Sequence, residues 1–140
     1  MAPRKAFIIC RYLFWFTDTT IWRLFLGVAA LFYAVGLCFP GLGGQHLRFA
    51  LAEVVPYRYA WVGLFLLYFV GVFWRFIDVT PRVRWALAVN ALGCGLWLTA
   101  AVSVFMTYSF TPGAATNGVL WVCSAWVLLR TALTSEIVTP

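Results

Sequence analysis

The chain has 140 residues, 64% of them hydrophobic and 10% charged, with a net charge of +6. A soluble domain carries about a quarter charged residues, so these few charges cannot cover a soluble surface, and the surplus apolar area has to face lipid. The basic residues stand scattered at the ends of apolar runs, which argues against a nucleic-acid partner and for membrane-crossing segments.

Residues 1–19 begin with Arg4 and Lys5 and continue with an apolar run interrupted by Arg11. No small-residue cleavage site follows, so a signal peptide is not expected. On a helix, Arg4, Arg11 and Asp18 form a polar stripe opposite Phe7, Ile8, Tyr12, Phe14 and Trp15. That pattern predicts a helix lying in the membrane interface. Thr17, Asp18, Thr19 and Thr20 supply candidate N-caps for the next helix.

The first crossing is predicted over residues 21–39, with Arg23 one turn inside and able to snorkel to the headgroups. Pro40, Gly41, Gly43 and Gly44 end it. Leu47, Ala50, Leu51 and Val54 then recur at helical spacing, with His46 and Glu53 on the other face. This predicts a short amphipathic helix in the first outer loop, stopped by Pro56. His46 and Glu53 are two ligands at most and make no metal site.

The second crossing is predicted over residues 57–76. Trp61 stands near its outer end and Trp74 at its inner end, as an aromatic belt requires. The connector from Trp74 to Trp85 carries Arg75, Arg82, Arg84 and Asp78, and Pro81 suits the start of a new helix. The third crossing is predicted over 83–108 and the fourth over 116–133, separated by a turn at Pro112-Gly113. The fold expected is therefore all-α: one transmembrane domain over residues 1–140, a four-helix bundle with an interfacial helix before it.

Four crossings put both termini on one side of the membrane. Arg4, Lys5, Arg11, Arg23, Arg75, Arg82, Arg84 and Arg130 fall on that side, and only Arg48 and Arg58 on the other. Lys and Arg mark the cytoplasmic side, so both termini are expected in the cytoplasm and the protein in a bacterial cytoplasmic membrane. Trp22, Trp61, Trp74 and Trp85, with Arg75, Arg82 and Arg84, are the expected interface anchors.

Helices in lipid associate through close backbone approach at small residues. Ala91, Gly95, Thr99 and Ser103 stand four apart on the third crossing and are expected at the bundle's centre, or against a second copy. Ala30 and Ala34 on the first crossing, and Gly63 and Gly71 on the second, are the matching positions. Asn90 and Arg130 are the deepest polar side chains and are expected to share a hydrogen bond. Trp97 and Trp126 fall near mid-depth, where an indole N–H needs an acceptor such as Thr99, Ser103 or Ser124.

Chemistry-bearing patterns are lacking. No Asp, Glu, Lys or His lies deep in a crossing, where a proton relay or ion-coupled transporter would need one. The chain has no nucleophile elbow, paired-histidine zinc motif or phosphate loop. The single histidine rules out a haem held by two. The cysteines Cys10, Cys38, Cys94 and Cys123 form no metal-ligand spacing. No enzyme activity, cofactor or metal is therefore expected.

The expected partners are the lipid bilayer and other membrane proteins or copies of the chain itself, in an accessory or modulating role. Two other functions fit the pattern. In size and helix count the chain is similar to the small holins with which phages open host membranes, although its short tail with Glu136 differs from their basic tails. An oligomeric channel or transporter for a small uncharged solute, lined by Asn90, Thr99, Ser103 and Ser124, is the third.

Overall fold

The computed structural model describes residues 19–39, 45–77 and 83–138, with side chains at all of these except 20, 45, 46, 75–77, 83 and 134–138. Five helices and no strand occur among the described residues: α1 (Thr20–Cys38), α2 (Gln45–Ala52), α3 (Arg58–Ile77), α4 (Val83–Tyr108) and α5 (Pro112–Val138). The interfacial helix expected over 1–19 lies outside the described residues apart from Thr19.

Among the described residues, three helical stretches are long and apolar enough to cross a membrane: Ile21–Cys38, Arg84–Tyr108 and Pro112–Leu133. They point to an integral membrane protein. The second predicted crossing corresponds to α3, whose apolar stretch, Arg58–Trp74, is shorter than these three.

The four long helices run alternately up and down around a ring in the order α1, α3, α4, α5. Side-chain meetings show the alternation. Trp22 meets Trp126 and Tyr33 meets Asn117, so α1 and α5 are antiparallel. Tyr33 also packs on Phe65 of α3, while Gly27, a turn and a half earlier, faces Val72. Gly71 faces Val89 and Tyr68 faces Gly93 between α3 and α4. The bundle thus has a near end, holding the start of α1 and the end of α5, and a far end, holding Cys38, Arg58 and Tyr108.

The core is aromatic. Tyr33, Phe65 and Trp97 form a triangle with ring centroids 5.0–5.6 Å apart. Phe65 and Trp97 are wholly buried. Tilted and edge-on contacts of this kind add about 0.5–1.5 kcal/mol each beyond area burial. Leu26, Ala30, Ala34 and Leu37 of α1 line the same core. Outward faces carry exposed Phe32, Val70, Val102, Met106 and Val119, the arrangement a lipid solvent favours.

The short α2 lies across the far end, against α4 above all. Leu47, Ala50 and Leu51 turn inward, and Ala50 joins Val104 and Ala114 in a small second core. Val54, expected on that apolar face, is exposed because the helix stops at Ala52.

The predicted turn at Pro112-Gly113 is instead the first turn of α5. Pro112 begins the helix, where its missing N–H costs nothing. Thr111 caps it, its Oγ1 accepting from the Ala114 amide at 3.3 Å. α5 also continues past residue 133, to Val138. The connection between α4 and α5 therefore shrinks to Ser109, Phe110 and Thr111, with Ser109 in the left-handed region at φ 60°.

Of the expected caps at the near end, Thr17, Asp18 and the side chain of Thr20 lie outside the described residues. Thr19 stands at the N-cap of α1 but makes no side-chain cap bond. Its hydroxyl accepts from the Arg23 guanidinium. Arg23, expected to snorkel outward, is bound within its own first turn.

Candidate functional site

Polar side chains meet between the long helices at three levels, and buried Thr19 and Ser103 lie on none of them. At the far level the Tyr33 hydroxyl donates to Oδ1 of Asn117 at 2.9 Å, and Nδ2 of Asn117 donates to the Gly113 carbonyl at 2.8 Å. At mid-depth the Tyr68 hydroxyl lies close to Ser124 and to the Trp97 indole. At the near level Nδ2 of Asn90 donates to Oγ1 of Thr131 at 3.0 Å, and that hydroxyl donates to the Val127 carbonyl at 2.8 Å.

Each level joins one helix pair: α1 to α5, α3 to α5, and α4 to α5. α5 is thus the polar spine of the bundle, although its sequence is apolar overall. Lipid offers no hydrogen bonds, so a hydroxyl or amide inside a crossing must find its partner in protein. Thr99, Thr107, Thr116 and Thr131 meet this need locally, donating to the carbonyl four residues back at 2.8 Å in each case. The indole nitrogens of Trp97 and Trp121 are buried and close no hydrogen bond of good geometry.

The predicted site residues divide sharply. Ala30, Ala34, Gly71, Ser103 and Asn90 are buried in the bundle. Ala91 and Gly95 are exposed and Thr99 is only half-buried, so the Ala91–Ser103 ridge is not the bundle's centre. Gly63 also faces outward, and a Cβ on Gly63 or Gly95 would meet nothing within 4 Å. The glycine that does sit at a helix crossing on α4 is Gly93, where an added Cβ would lie 2.6 Å from Cζ of Tyr68.

The bond expected between Asn90 and Arg130 is made to the next residue, Thr131, whose side chain projects about 100° further round the helix and into the bundle. The Arg130 guanidinium stands 6.0 Å over the Trp126 ring instead. Trp126 is not at mid-depth: it packs edge-on against Trp22 at the start of α1, with centroids 6.3 Å apart. Trp97 is at mid-depth and fully buried.

Among the expected anchors, Trp22, Trp74, Trp85 and Arg84 are exposed. Trp61 is buried, and its Nε1 donates to the carbonyls of Leu51 and Val55 at 3.2 and 3.1 Å. It pins the end of α2 to α3. Arg82 and the side chains of Arg75 and His46 lie outside the described residues.

Tyr33, Tyr68, Asn117 and Thr131 were not singled out from sequence. Asn117 had a usable signal: an amide five residues inside an apolar helix needs a partner. Among the described residues no three His, Cys, Asp or Glu come together as a metal site would require. Cys38, Cys94 and Cys123 are free thiols. Compared with protein-family models, curated proteins and solved structures, the chain matches none.

Proposed function

We propose that the protein is a four-crossing subunit of a bacterial cytoplasmic membrane, both termini in the cytoplasm, which binds other membrane helices as an accessory or modulating component. It carries out no catalysis. α3 serves as the fourth crossing: its 20 residues span about 30 Å, the thickness of the hydrocarbon core.

One observation carries the reading. Gly63, Gly95 and Gly118 lie on α3, α4 and α5 with open space where a Cβ would stand. Ala91 is exposed one turn from Gly95. Small residues on an outer face let a neighbouring helix approach backbone to backbone, which is how helices associate in lipid. The interior, by contrast, is filled by the Tyr33–Phe65–Trp97 triangle, and its Tyr33, Asn90 and Asn117 side chains bond to its own helices.

Size exclusion in mild detergent after native expression tests this. A reproducible complex containing a second membrane protein is the expected result, and a lone monomer under every gentle condition overturns it. The holin-like reading predicts lethality with dye leakage on induction. The channel reading puts Asn90, Ser103 and Ser124 on a path between copies, and their burial within one chain counts against it.

A further inference from the structure

We infer that the groove between α2 and the first turn of α3 binds the phosphate of an anionic lipid headgroup. The groove holds about 320 Å³, and Arg48, Tyr57, Arg58, Tyr59 and Trp61 line it over a floor that includes Leu51. The inference rests on the membrane reading above, which places this end of the bundle at the outer interface.

Charge is the first reason. The chain has ten basic residues, and the crossing pattern leaves only Arg48 and Arg58 on this side. Both line the same groove. The positive-inside bias disfavours arginine here, so two in one groove call for a ligand that repays their presence. Among the described residues no acid lines the groove: Glu53, the acid on the neighbouring turn, lines a separate cavity with Ser103 and Met106.

Arrangement is the second. The Arg58 guanidinium lies 4.8 Å over the Tyr59 ring, and its Nη2 donates to the Tyr59 hydroxyl at 2.8 Å. Tyr57 packs edge-on against Tyr59 with centroids 5.7 Å apart. Arg58 is thereby held in place with its other N–H groups available, and a planar guanidinium suits phosphate oxygens. Arg48 is half-buried, and among the described residues it makes no hydrogen bond or ion pair. Trp61 holds the wall through its two bonds to the end of α2.

Position is the third and separates lipid from free phosphate. Phe49, Tyr57 and Tyr59 are exposed beside the groove. Aromatic side chains at a helix end mark headgroup level, where lipid phosphates are already concentrated.

The test reconstitutes the full chain in vesicles of phosphatidylcholine alone or mixed equally with phosphatidylglycerol, follows flotation, and then measures lipid retained after detergent extraction by native mass spectrometry. Wild type is expected to float with both and to retain phosphatidylglycerol selectively. Arg48→Gln and Arg58→Gln should each reduce the selectivity roughly fivefold and the double variant roughly thirtyfold, from about 1 kcal/mol per arginine. Arg84→Gln, at the opposite end, should leave it unchanged. Equal retention of both lipids by a floating protein overturns the site, and so does a double variant as selective as wild type. Competition by millimolar inorganic phosphate would reassign the groove to a soluble anion. Failure to float at all would instead overturn the membrane reading itself.

Discussion

The Tyr33 hydroxyl reaches across the bundle to Oδ1 of Asn117, 84 residues further along the chain. This bond ties the first long helix to the last at the far level, beside the aromatic triangle. Tyr33→Phe keeps the ring contacts and strands the Asn117 oxygen. The expected loss is about 0.5–1.5 kcal/mol, read as a lower unfolding midpoint in detergent. Tyr33→Phe combined with Asn117→Leu should cost less than the two single changes added together, because the second removes the orphan acceptor. Strict additivity in that cycle would mean that the bond does not form.

Two glycines only two residues apart on α4, and so about 200° round the helix from each other, should respond in opposite directions. At Gly93 a methyl group would lie 2.6 Å from Cζ and 2.9 Å from the hydroxyl of a buried tyrosine ring, Tyr68. Gly93→Ala is expected to cost about 1–3 kcal/mol through forced repacking. At Gly95 the space is open, and Gly95→Ala should stabilise the chain by up to about 1 kcal/mol through helix propensity. The larger Gly95→Leu should leave monomer stability near wild type while shifting the size-exclusion profile of the assembly to smaller species. An unshifted profile would remove Gly95 from the partner surface.

The pair also shows what a one-dimensional reading reaches. Length and hydropathy suffice to find the long helices, and the bounds of α4 agree with the expected 83–108. They do not choose which face turns inward. α4 is apolar nearly all round, so no stripe marks the core, and the small residues at 91 and 95 stand out only because they are regularly spaced. The inward face is set by complementary volumes on two helices, the Tyr68 ring over bare Gly93, and neither sequence segment shows this alone. Asn90 was legible as a polar group in need of a partner; that the partner is Thr131 and not Arg130 depends on the rotation of α5. Pro112-Gly113 read as a turn because proline both ends helices and opens them, and only the cap from Thr111 decides between the two.

Ser109 closes α4 in the left-handed region at φ 60°, its amide bonded to the Phe105 carbonyl at 2.8 Å. That conformation costs an L-residue about 1–2 kcal/mol, and glycine relieves it while losing about 0.5–1 kcal/mol to chain entropy. Ser109→Gly should therefore stabilise the α4–α5 hairpin by about 0.5–1 kcal/mol, visible as a higher thermal midpoint in detergent. Ser109→Val, with its branched Cβ, should lower the midpoint. Equal midpoints for the two variants would show that the backbone at 109 adopts another conformation.

Trp61 controls α2 more than it controls the bundle. Its indole N–H is shared between the Leu51 and Val55 carbonyls. The Leu51 carbonyl keeps the amides of Val54 and Val55 when the indole is lost, whereas the indole is the donor seen at Val55. Trp61→Phe preserves an aromatic ring in the core and removes only that donor, at a cost of about 1 kcal/mol. Because Ala50 and Leu51 are the main buried contacts of a short helix, the loss should appear locally. Hydrogen exchange should accelerate across residues 47–55 while the interior of α4 stays as protected as in wild type. Faster exchange spread evenly over α1, α3 and α4 would show instead that Trp61 supports the whole core and that α2 is not a separately opening cover.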